Sequence, residues 1–283
     1  MKRNITCMLF MLNLWMIAET RHVSLQRALD LKLVKAIAKS LGGYQGLCIQ
    51  MELKNLGNDS LVILVEAGRR LKSEDDKRQD ILITREEIIA LKKLESRSFG
   101  VKGYCCQANN HAPVKGSNYS LNKMADSSLV NLAMYLNSNK NDQDIEQQAI
   151  WAVSDNRPVS MISSPKDTVV SGLKLLVCVI KGAVVPWYSL ITKTHVYENG
   201  VMQTWPIWLR GKLTYDNNEA CYTTLHVLDE KGTEVCQIIQ QWTYPGNGQS
   251  YNLNVPVKGL AKGKYTIELK TREKQLARRE FEI

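Results

Sequence analysis

Cysteine dominates the reactive chemistry available to this sequence. The chain carries seven, of which Cys7 lies near the start and Cys48, Cys105, Cys106, Cys178, Cys221 and Cys236 lie in the body. An even number of thiols in an exported chain permits disulfides. Buried free cysteine serves equally well as a small hydrophobe. Cys48 and the adjacent pair Cys105-Cys106 fall in strand-like segments of one half, so a Cys48–Cys105 or Cys48–Cys106 bridge is expected. Neighbours on a strand point to opposite faces, so only one of Cys105 and Cys106 can face the core. Cys221 and Cys236 flank the turn Asp229–Gly232. In a simple hairpin about that turn Cys221 faces Gln240 and Cys236 faces Leu225, which keeps the two thiols apart. No C-x-x-C and no zinc-ligand spacing occurs. The four histidines, His22, His111, His195 and His226, are scattered and form no Ser-His-Asp or Cys-His set. P-loop, G-x-G-x-x-G and EF-hand patterns are absent as well. The sequence therefore predicts a non-catalytic protein with no catalytic residues, no metal and no cofactor.

Two further features could recognise a partner. Trp187, Tyr188, Trp205 and Trp208 concentrate aromatic surface in the middle of the chain and are candidates for a ligand platform, with core packing the alternative for the same rings. The formal charge is +9, and Lys258, Lys262, Lys264, Lys270, Arg272, Lys274, Arg278 and Arg279 crowd one late stretch. No nucleic-acid-binding motif accompanies them, so a protein or glycan on a cell surface is the expected partner and nucleic acid is not.

One pair of motifs resembles a known family. Tyr104-Cys105-Cys106-Gln107 and Gln147-Gln148-Ala149-Ile150-Trp151 are similar to the aromatic-Cys and Q-x-A-I-W motifs of thioester adhesin domains. The resemblance implies that the Cys105 sulfur and the Gln147 side chain condense into an internal thioester shielded by Trp151. Such an acyl group captures amines on a host surface. The chemistry needs a thiol and a carboxamide held together in a shielded pocket. Cys106 stands where that family usually carries an aromatic residue. The structural alternative is that Ile150 and Trp151 pack a helix, Gln147 faces solvent, and the cysteine is buried or bridged.

These residues sit on elements the sequence outlines. Lys2 and Arg3 precede a mostly apolar run, Ile5 to Ala18, of signal-peptide length and too short for a comfortable membrane span, a short anchor being the alternative. Residues 1–18 are thus an expected signal peptide. Its removal lowers the formal charge from +9 to +7 and leaves six cysteines. Localisation is expected to be periplasmic, cell-surface or secreted, with no integral membrane span after cleavage. Leu47, Ile49, Met51 and Leu53 alternate as in a half-buried strand. Leu61–Val65, 79–84, Glu87–Leu91 and 98–106 continue the pattern, and short strands between turn signals predict a β-sandwich. Residues 24–41 are ambiguous, with strand favoured because Gly42-Gly43 would complete a hairpin. Asp126 can cap a helix with Leu129, Leu132, Ala133 and Leu136 on one face. A second helix follows with Ile145, Ala149, Ala152 and Val153. Residues 22–160 therefore read as a β-sandwich with an appended helical pair, and 161–204 as a linker with a short helix capped by Asp167. Six strand candidates between Trp208 and Ile283 predict a second, antiparallel sandwich over 205–283.

This last segment also resembles a family. Asp229, Gly232, Leu260, Gly263 and Tyr265 match a pattern similar to the C-terminal Ig-like modules of bacterial surface and secreted proteins, including type IX secretion sorting domains and hook-capping-type Ig domains. The resemblance implies an Ig-like module for positioning or anchoring. The combined expectation is a mainly β, exported adhesion protein. A covalent thioester adhesin using Cys105 and Gln147 is one alternative, and a secreted hydrolase with an unrecognised site is another.

Overall fold

The computed structural model describes residues 21–163 and 171–283. The expected signal segment 1–18 and the expected cap at Asp167 lie outside the described residues. The fold is mainly β with a helical pair, as the strand and helix periodicities predict. In chain order the first half runs β1 (Arg21–Ser24), α1 (Leu25–Asp30), β2 (Val34–Ser40), β3 (Gln45–Asn55), β4 (Leu61–Val65), β5 (Arg69–Ser73), β6 (Ile81–Ile83), β7 (Glu87–Leu91), β8 (Ser96–Cys105) and β9 (Asn118–Met124). Helices α2 (Ser127–Ser138), α3 (Gln143–Ser154) and α4 (Ser171–Lys181) follow.

Six of these strands close on themselves in the order β2-β3-β8-β6-β5-β9, and β1-β4-β7 form a separate three-stranded sheet. The barrel interior is filled by alternate residues such as Ile49, Met51, Leu71, Ile81 and Val101, joined by Ile63 and Leu91 from the small sheet. Strand β8 serves two cores at once. Cys105 points into the barrel, while Tyr104 and Cys106 point outward beneath α2, α3 and α4 with Leu132, Leu136, Ala149, Ile150, Leu173 and Val177. This is the face alternation expected of an adjacent cysteine pair on a strand. Asp126 accepts from the amides of Ser128 and Leu129 to start α2, and Asp142 accepts from Asp144 to start α3.

The second half runs β10 (Tyr188–Val196), β11 (Met202–Asn217), β12 (Cys221–Leu228), β13 (Glu234–Thr243), β14 (Gly246–Pro256), β15 (Lys264–Lys270) and β16 (Gln275–Glu282). Sheets β10-β11-β14 and β13-β12-β15-β16 share a core to which Leu209, Leu213 and Val255 contribute from one and Leu225, Val227, Ile267 and Phe281 from the other. Among the described residues no helix is long and apolar enough to cross a membrane.

Four readings change. The expected bridges of Cys48 to Cys105 or Cys106 are absent: all three are buried free thiols. Cys48 sits at a bulge and its sulfur donates to the Gly103 carbonyl at 3.4 Å, while Cys106 faces the other core. Residues 24–41 hold α1 before β2, because Ser24 accepts from the Arg27 amide and Leu25 and Ala28 bury one helical face. The stretch read as a linker with a short helix holds a helix, α4, as expected, and in addition the strand β10, which pairs along β11 from Tyr188 to Val196. Bulges in β12 and β13 set Cys221 opposite Thr243 and Cys236 opposite Val227, so those thiols stay apart in a register other than the simple one.

Candidate functional site

Helix α3 lies against the end of β8 and is fastened there by side chains reaching the main chain. Gln147 is only 1% exposed and its carboxamide spans one residue of the strand. Its Oε1 accepts from the Cys105 amide at 3.1 Å and its Nε2 donates to the Cys105 carbonyl at 2.8 Å. Further along, Ser154 Oγ donates to the Cys106 carbonyl, and Asp155 Oδ2 accepts from the Ala108 amide at 2.5 Å. Near the start of α3, Glu146 pairs with Arg85 at 2.6 Å. The helix thereby adds side-chain partners at the end of β8, where the Cys105 amide also donates to the Tyr44 carbonyl at 3.0 Å. The reading of Gln147 as a solvent-facing residue does not hold.

The two candidate thioester residues, 42 positions apart in sequence, are thus brought into direct contact. The contact runs through the main chain of Cys105, while its side chain belongs to the barrel core with Cys48. Burial pushes the Cys105 thiol well above its ordinary range, with Cys48 the next contributor. Burial likewise pushes Cys48 and Cys106 up to about 12. Ionised sulfur is disfavoured here, whereas an uncharged acyl-sulfur group is compatible with the apolar surroundings. The amide that donates to Gln147 Oε1 is shared with the Tyr44 carbonyl.

Beside this contact opens a cavity of about 440 Å³. Asp144, Gln147, Gln148 and Trp151 line it from α3, spaced so that they share one helical stripe. Tyr44 and Gln45 at the start of β3 form a second side, and Ser163 with the β10 residues Ile191, Thr192, Lys193 and Thr194 forms a third. Tyr44 stacks on Trp151 with ring centroids 6.1 Å apart, and the Arg157 guanidinium lies 4.6 Å from the Trp151 ring centroid. The composition of this wall was invisible in the sequence, except that Asp144 and Gln148 flank the motif at helical spacing.

The four candidate platform rings fall on the start of β10, or just before it, and on β11. Trp187 and Tyr188 are in edge contact at 5.4 Å, and both reach the end of β16, Trp187 Nε1 donating to the Glu280 carbonyl and Tyr188 Oη to that of Glu282. Trp205 lines a separate cavity with Leu260, and Trp208 is 37% exposed. Composition did not single out the exposed edge-to-face pair Tyr222 and Trp242, 4.8 Å apart on β12 and β13. Among the described residues no group of three or more His, Cys, Asp or Glu is arranged to hold a metal ion. Comparison of the chain with protein-family models, with curated proteins and with solved structures finds no match.

Proposed function

We propose that this chain is an exported, cell-surface adhesion protein that attaches covalently, through an internal thioester between Cys105 and Gln147. The observation that carries the reading is the buried Gln147 carboxamide docked on the main chain of Cys105. In the first step Cys105 Sγ leaves the barrel core and attacks Gln147 Cδ. The S–C bond forms, the C–N bond breaks, and the thiol proton leaves with the amide nitrogen as ammonia. In the second step an amine on a partner surface attacks the same carbon. An amide forms, the C–S bond breaks, and the sulfur regains a proton. The protein is consumed once, as an attachment group and not as a catalyst. The C-terminal sandwich is the positioning or anchoring module in this reading.

Intact mass of the purified protein tests the proposal. Ammonia loss lowers the mass by about 17 Da, and excess methylamine converts that species to an adduct at Gln147. Cys105→Ala and Gln147→Ala are expected to show neither change. A wild-type protein of full mass that takes up no amine overturns the reading.

A further inference from the structure

Resting on the cell-surface adhesion reading but not on the thioester, we infer that β11 carries a saccharide subsite selective for a carboxylate-bearing pyranose, a uronate or a sialate. Trp205 is its platform, and Lys193 and Lys258 are its cations. Strand β14 pairs with β11 as far as Trp208, opposite Pro256, and the Val257 amide still donates to the Ile207 carbonyl at 3.1 Å. The chain then turns, with the Leu260 amide on the Val257 carbonyl at 3.2 Å. Residues 203–206 of β11 are thus left with β10 as their one strand partner among the described residues. A cavity of about 360 Å³ fills the gap, lined by Gln203, Trp205, Pro206, Lys258, Gly259 and Leu260. That volume is in the range of small-molecule sites, about 300–1,000 Å³. Every one of these residues keeps accessible surface, Gln203 and Lys258 being exposed and Trp205 partly so.

The register of β10 against β11 adds further groups. Lys193 stands opposite Trp205 and His195 opposite Gln203, so these four side chains share one face of the ribbon. Tyr197 Oη donates to Gln203 Oε1 at 2.9 Å, which leaves Gln203 Nε2 as a donor for a ligand oxygen. Lys193 also borders the cavity of Asp142 and Asp144, yet neither Lys193 nor Lys258 enters an ion pair among the described residues. Acids are scarce here. Strands β10 and β14 carry none, β11 carries only Asp216 at its far end, and Glu198 lies in the hairpin turn. A pyranose offers an apolar C–H face to an aromatic ring and hydroxyls to a carboxamide. Its carboxylate meets two ammonium groups that have no competing acid on their own sheet face. A nucleic-acid strand asks instead for a track of cations and for successive stacking rings.

Isothermal titration tests the inference with a galacturonate tetramer and with sialyllactose, each beside its carboxyl methyl ester. At least one acid is expected to bind, with its ester about fivefold weaker. Trp205→Ala should weaken binding by about tenfold, and Trp205→Phe should restore most of it. Lys193→Gln and Lys258→Gln, at exposed positions that leave the fold intact, should each cost about threefold, and added salt should narrow the gap between acid and ester. Cys105→Ala, which cannot form a thioester, should bind as the wild type does. Binding of neither acid, esters that bind as well as acids, or wild-type affinity in Lys193→Gln/Lys258→Gln overturns the subsite. So does a decathymidylate that binds as tightly as the acids and is indifferent to Trp205→Ala, which marks a surface that reads charge alone. Loss of binding in a folded Cys105→Ala protein overturns it as well. Intact mass reads the thioester separately, so either reading can fail while the other stands.

Discussion

The thiols of Cys48 and Cys106, held at about 12 against an ordinary 9.0, tie the stability of the first half to alkaline pH. Both values are raised by burial, so the folded protein keeps these protons where the unfolded chain has lost them. Their contribution is fully present below pH 9 and is lost as pH rises through about 12. Urea midpoints are therefore expected to decline across that window, and to decline less steeply in Cys48→Ala/Cys106→Ala. An equally steep decline in the double variant would mean that other groups govern it. In the native state iodoacetamide should reach the partly buried Cys221 and Cys236 before these two. At this scale a motif singled out Cys105 and Gln147, and the structure brings the Gln147 carboxamide onto the main chain of Cys105. Hydrophobic periodicity alone would have left Gln147 in water. A glutamine looks like a surface residue until the main-chain groups it satisfies are known.

Among the elements, β6 and β8 approach so closely that only glycine fits between them. A Cβ on Gly103 would lie 2.4 Å from Ile81 Cγ2 and 3.1 Å from the Leu82 carbonyl oxygen. Gly103→Ala should cost about 2 kcal/mol or more, because both neighbours are wholly buried and neither is a free chain end. Equilibrium urea unfolding measures this, and a loss under about 0.5 kcal/mol would show that β8 can shift at little cost. Closure of the barrel was the least legible part of the fold. Strand β5 reads as charged surface, yet its Arg69 is fully buried, bound to Glu66 and to the Leu121 carbonyl. Strand β9 is largely polar and pairs with β2 and β5, partners remote from it in sequence. Helices α2 and α3 were legible because cap residue and apolar stripe agree at each start.

Over the whole molecule, the candidate site is assembled from both halves, since β10 supplies a wall of the cavity that α3 and the start of β3 leave open. Composition marked two β-rich regions and missed this joint, because β10 lies in the stretch 161–204 read as a linker. The separation of Cys105 from Gln147 carries a consequence of a mechanical kind. The 42-residue interval contains β9, the stave that completes the barrel, and all of α2. A covalent bond between its ends would enclose that stave in a ring, and loops of such length reduce the freedom of the unfolded chain by about 4 kcal/mol. Amine capture cuts the ring open. Methylamine treatment should then lower the melting temperature of the wild-type protein by several degrees and leave that of Cys105→Ala unmoved, with calorimetry reading the difference. An unchanged wild-type midpoint would mean that the ring adds nothing to the barrel. On the proposed thioester, the act of holding a partner would also undo a hoop, leaving the attached molecule softer under load than the one that arrived.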